Sequence, residues 1–114
     1  MAGFVAENVL AGRMDVLTPA QYLEYDKSNT ILLDVRTAME FQRGHLEGAL
    51  NIPVDSLRER LLELDPTKEI IEYCQVGLRG YIAATILSQY GYKVKNVTGG
   101  YKSASTLGFK IIKP

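Results

Sequence analysis

Ile31-Leu32-Leu33 is an unbroken apolar run with Thr30 before it and Asp34 after it. A strand wetted on one face alternates apolar and polar residues. An uninterrupted run therefore predicts a strand covered on both faces, the habit of parallel sheets. Ile70 to Tyr73 reads as a second strand and Val94 to Val97 as a third, where Lys95 and Asn96 predict lower burial. Parallel neighbours need long crossovers, and the segments between these strands carry helical patterns. The alternation predicts an α/β domain of parallel βαβ units with right-handed connections.

Local signals set the boundaries. Thr18-Pro19 opens a helix, a hydroxyl N-cap followed by proline, that runs to about Asp26 and buries Tyr22 and Leu23. Thr37 caps a short helix through Phe41, with Glu40 at the third position as in a capping box. Residues 43 to 53 hold Gly44, His45, Gly48, Asn51 and Pro53, which predicts a wrapped loop with one short strand at Ala49 to Asn51. From Asp55 to Leu64, Leu57, Leu61, Leu62 and Leu64 follow a helical period that Asp65-Pro66 ends. Gly80 to Tyr90 predicts a helix turning Ile82, Ala83, Ile86 and Leu87 to the sheet, with Gly91 as its stop. Gly99-Gly100 is a tight turn before a last helical turn in residues 101 to 107.

Composition narrows the function classes. At 114 residues, with 46% hydrophobic and 23% charged, the chain suits a single globular core. Thirteen basic and thirteen acidic side chains cancel. That leaves no electrostatic case for nucleic acid or a membrane surface. No run approaches the roughly 20 apolar residues of a membrane span. One cysteine cannot close an internal disulfide, which fits a reducing cytoplasm and removes Cys-x-x-Cys redox chemistry. One Cys and one His without ligand spacing make no tetrahedral set, so no metal is expected.

That cysteine, Cys74, opens the segment Cys74-Gln75-Val76-Gly77-Leu78-Arg79-Gly80 between a strand and a helix. Such a junction sets the sulfur above successive backbone N–H groups and the positive end of the helix dipole. Free cysteine ionises near pH 8.5, and surroundings of this kind lower that to roughly 3.5–7.5, so a nucleophilic thiolate is expected at neutral pH. Gly77 permits the backbone angles that curl amides into an anion nest. Arg79 adds planar donors suited to an oxyanion. The competing reading is a buried cysteine serving as a small hydrophobe.

These residues resemble the active-site loop of the rhodanese family of sulfurtransferases, Cys-x-x-Gly-x-Arg followed by Ser or Gly. Further marks come in family order: Leu32-Leu33-Asp34-Val35-Arg36, Glu40-Phe41, Gly44 to Pro53, and Val97-Thr98-Gly99-Gly100-Tyr101, where many relatives carry tryptophan in place of Tyr101. The resemblance runs from about Val16 to the C-terminus. It implies a three-layer α/β fold with about five mainly parallel strands flanked by helices. It also implies transfer of a sulfane sulfur from thiosulfate, a persulfide or a polysulfide to a thiol or cyanide through a Cys74 persulfide. Gln75, Val76, Gly77, Leu78, Arg79 and Gly80 would then bind substrate, and no cofactor is needed in this domain. Asp34, Arg36 and Glu40 are implied to form buried ion pairs that order nearby loops, and His45 to make structural hydrogen bonds.

Two enzyme-free or rival readings stand beside this one. A rhodanese-fold binding or regulatory module would keep the loop without turnover. A cysteine phosphatase would place five residues between Cys and Arg, whereas Gln75, Val76, Gly77 and Leu78 make four, a smaller cradle suited to sulfur. The phrase from Cys74 to Tyr81 is also similar to flavin-dependent disulfide reductases of the coenzyme A disulfide reductase kind, which carry a C-terminal rhodanese domain. Residues 1 to 13, with Phe4, Val5, Val9 and Leu10 on one face, are on that view an arm from an upstream flavoprotein domain, and residues 14 to 114 are the catalytic domain. FAD and coenzyme A would belong to the parent protein. One departure remains: Glu72 lies in the strand leading to Cys74, where relatives carry an aliphatic residue. A lone buried carboxylate costs several kcal/mol, so Glu72 is expected at a polar pocket edge or paired with a lysine or arginine.

Overall fold

The apolar runs lie side by side in the middle of a parallel sheet. The structure, a computed structural model, describes residues 15–76 and 78–114; the arm expected at residues 1 to 13, and Gly77, fall outside the described residues. In chain order the elements are β1 (Val16–Leu17), α1 (Pro19–Leu23), β2 (Thr30–Asp34), α2 (Ala38–Arg43), β3 (His45–Leu46) and β4 (Leu50–Asn51). Two 3-10 segments follow, Val54–Ser56 and Arg58–Glu63, then β5 (Glu69–Tyr73), α3 (Leu78–Gln89), β6 (Val94–Val97), α4 (Gly100–Thr106) and β7 (Ile111–Ile112). The main sheet has five strands in the order β1-β6-β5-β2-β4, every pairing parallel. β3 and β7 form a separate antiparallel pair.

Side chains of β5 alternate between two cores. Ile70 and Cys74 pack with Leu33, Val35, Ile52, Leu57, Leu64 and the α3 residues Ala83, Ile86 and Leu87. Ile71 and Tyr73 pack on the opposite face with Leu17, Tyr22, Leu32, Leu46, Val97 and Ala104. Two apolar layers around one sheet make the expected three-layer α/β fold, and they explain why β2 and β5 carry so little polar character.

Several boundaries differ from the sequence expectations. α1 stops at Leu23, which is half exposed, because the turn is already closed by the Glu24 N–H donating to the Gln21 carbonyl and the Tyr25 N–H to the Tyr22 carbonyl. Its cap is stronger than expected, since Gln21 completes a capping box with Thr18. The Thr37–Glu40 capping box forms as expected. Residues 54 to 63 wind as 3-10 rather than α-helix, with a break at Arg60. The tighter period buries Leu57 and Leu64 but leaves Leu62 fully in solvent. Ile82 lies at the edge of α3 instead of facing the sheet. Asn96, expected to be less buried, is enclosed, because β6 is an interior strand. Among the described residues no helix is long and apolar enough to cross a membrane.

Candidate active site

The strands β2, β4, β5 and β6 all deliver their carboxyl ends to one edge of the sheet, where open α/β sheets place ligands. Cys74 follows the last residue of β5, the central strand, and α3 begins at Leu78. The Cys74 carbonyl accepts from Tyr101 N at 2.7 Å, and the Gln75 carbonyl accepts from Lys102 N at 3.1 Å. The first turn of α4 therefore holds the start of the loop. Gly100 makes that approach possible: it sits at φ +60°, and a Cβ there would overlap the Cys74 carbonyl oxygen. Cys74 itself is 1% exposed, while Val76 and Leu78 stand out at 61% and 70%. The thiol is thus seated in the core beneath an apolar rim.

Beside the loop lies a cleft of about 280 Å³ lined by Arg36, Glu40, Arg43, Gly44, Gln75 and Tyr101. Its wall is organised by Arg36, which is 2% exposed. Arg36 Nη2 donates to Asp34 Oδ2 at 2.8 Å and to the Gly44 carbonyl at 2.6 Å, and Nη1 donates to Gln75 Oε1 at 3.1 Å. The Tyr101 ring covers the guanidinium at 4.1 Å, a cation–π contact. Asp34 is wholly buried and also accepts the Arg36 backbone N–H. The pair links β2, the loop before β3, the Cys74 loop and α4 through one side chain.

Glu40 does not join that buried group. It grips Arg79 across the site in a two-pronged pair, Arg79 Nη1 to Oε1 at 2.7 Å and Nη2 to Oε2 at 3.0 Å. Both side chains are about one-third exposed or less. This corrects the expected buried Asp34–Arg36–Glu40 cluster, and it means that the charge of Arg79 is already met by Glu40. The Arg79 hydrogen bonds, aided by the Thr37 amide, hold the Glu40 carboxyl at about 2, below its ordinary 4.5. A depressed carboxyl contributes stability above its unfolded value and loses it as pH falls through the folded one. Acid unfolding between about pH 4.5 and 2 should accordingly be shallower in Glu40→Gln than in the wild type, as read by circular dichroism.

His45 Nδ1 lies 2.9 Å from the Phe41 carbonyl and its ring stacks on Phe41 at 3.6 Å. It thus pins β3 to α2. Glu72 meets neither expectation made for it. It is fully buried, and neither carboxyl oxygen has a hydrogen-bond partner among the described residues. Burial, and then the charge of Cys74, push its carboxyl well above the usual range, which favours the protonated form. Its register partner on β6 is Asn96, also buried and without a side-chain partner. Sequence reasoning missed Asn96, Arg43 and Gly44 as neighbours of the loop; only the parallel register could have revealed Asn96. Among the described residues no cluster of His, Cys, Asp and Glu could hold a metal ion.

A parallel sheet between two helical layers, with a lone cysteine at the carboxyl end of its central strand, defines an α/β domain whose loops gather at that edge. The profile of the Rhodanese-like domain matches residues 18–106, and the chain belongs to that family. A sulfurtransferase of Allochromatium vinosum is 32% identical over 90 residues, 78% of this chain and 84% of the relative. A tRNA uridine(34) hydroxylase of Pectobacterium carotovorum is 34% identical, but the match spans 84% of this chain and only 32% of that protein. The crystal structure of reduced Bacillus anthracis CoADR-RHD superposes with a TM-score of 0.79 at 41% identity, covering 88% of this chain and 18% of that one. The chain is therefore similar to whole proteins of its own size and to a fraction of much longer ones.

Proposed function

We propose that this domain transfers a sulfane sulfur through a persulfide on Cys74, as the sulfur-carrying module of a larger disulfide or persulfide reductase. The observation that carries the proposal is the position of Cys74 directly after β5, with its carbonyl tied to α4 and the helix α3 beginning at Leu78. In the first half-reaction the Cys74 thiolate attacks the outer sulfur of the donor. A new S–S bond forms at Cys74, the donor's own bond to that sulfur breaks, and its electron pair leaves with sulfite or a thiolate. In the second, an acceptor thiolate or cyanide takes the outer sulfur, and the bonding pair returns to Cys74. No net oxidant or reductant is consumed. Loop amides stabilise the anionic sulfur in both directions. FAD and coenzyme A would belong to the flavoprotein domain of the parent, which is also the partner proposed for this domain. A cytoplasmic setting fits the single thiol.

Such covalent relay predicts ping-pong kinetics: with thiosulfate and cyanide varied, double-reciprocal lines should run parallel. Intersecting lines would instead mean that both substrates bind before any sulfur moves. The burial of Cys74 is the observation favouring the alternative, a binding module without turnover, and failure of the first half-reaction would select it. Because Arg79 is engaged by Glu40, Arg79→Ala should slow thiosulfate and an uncharged polysulfide donor alike, on the order of 10-fold or less. A loss confined to thiosulfate would show that Arg79 reads the donor's charge.

A further inference from the structure

The buried polar pair behind the nucleophile is left unexplained by the persulfide reaction. Glu72 and Asn96 are direct register partners on β5 and β6, and both point to the face on which α3 packs. α3 comes down on them at Gly80, where a Cβ would overlap Asn96 Oδ1 and lie 3.0 Å from Glu72 Oε1. Glu72 precedes Cys74 by two strand positions, so the two side chains share one face of the sheet. The other neighbours are uncharged: Leu33 lies beside it on β2, Asn96 on β6 and Gly80 above it on α3. Cys74 is the titratable group that acts on it.

We propose that Glu72, set beside Asn96 beneath Gly80, is a positioning residue that forms an uncharged polar floor under the Cys74 loop and leaves the nucleophile as the only anion on that face. The proposal rests on the role given to Cys74 above. An aliphatic residue would leave that face permanently uncharged. A carboxylic acid is uncharged only while protonated, so its ionisation at alkaline pH sets a second negative charge against the Cys74 thiolate or persulfide. The residue therefore closes the working pH range from above, by releasing its proton to solvent.

Two measurements test this. The carboxyl carbon of Glu72, followed by NMR in protein labelled at the glutamate side-chain carboxyl and identified by its absence in Glu72→Gln, should remain protonated through neutral pH. Its midpoint should fall in Cys74→Ser, where no thiolate faces it. This readout needs no sulfur transfer, so it stands or falls apart from the proposed activity. In transfer assays, kcat/KM of the wild type should decline at alkaline pH by several-fold relative to Glu72→Gln, whose profile should lack that limb. A Glu72 carboxyl that titrates near 4.5, or with the same midpoint in Cys74→Ser, would overturn the proposal. So would alkaline limbs that superimpose in wild type and Glu72→Gln.

Discussion

Cys74→Ser is expected to reduce sulfur transfer to background, a loss on the order of 10⁴-fold or more. The chain holds one cysteine, so no second thiol can carry the sulfur, and a serine hydroxyl neither ionises near neutrality nor forms a persulfide. The substitution also places a hydroxyl in the apolar cluster around Leu33, Val35 and Ala83. A change of that size costs at most about 1–3 kcal/mol, too little to unfold a domain stable by about 5–15 kcal/mol. Cys74→Ala should be equally inactive. Transfer near the wild-type rate in either variant would remove Cys74 from the mechanism.

The second large effect is on stability. Arg36→Ala should destabilise the domain by about 3–5 kcal/mol, because it leaves the Asp34 carboxylate buried without its counter-charge. The same change removes the donors to Gly44 and Gln75 and the cation covered by Tyr101. For a domain of this size the melting temperature should fall by roughly 15 °C or more. Replacing both partners, as in Asp34→Leu with Arg36→Met, should cost much less than Arg36→Ala alone, since no charge is then stranded. A melting temperature that barely moves in Arg36→Ala would mean that Asp34 is not held as a buried anion.

What the sequence showed of this architecture was mostly local. The unbroken Ile31-Leu32-Leu33 run marked a strand covered on both faces, and Thr18-Pro19 and Thr37 with Glu40 marked helix starts, because each signal lies within a few residues. The two-residue strands β1, β3 and β7 carry too few side chains to show a period, so only pairing in three dimensions defines them. Site partners were hidden for a related reason. Arg79 with Glu40, and Glu72 with Asn96, come from elements far apart in the chain that the parallel register brings together. Charge alone suggested a basic partner for Glu72, which the geometry does not supply, and gave no sign that Glu40 meets the guanidinium of Arg79. The 3-10 winding of residues 54 to 63 was equally beyond reach, since a leucine pattern on a helical period does not distinguish the two helices.

The central claim is that Cys74 carries sulfur, and intact-protein mass spectrometry tests it most directly. Protein exposed separately to thiosulfate, glutathione persulfide and coenzyme A persulfide, then freed of excess donor, should gain one sulfur atom with at least one of them. Peptide mapping should place that atom on Cys74, and cyanide or a thiol should remove it. No mass gain with any donor, or a gain that survives in Cys74→Ser, would contradict the account.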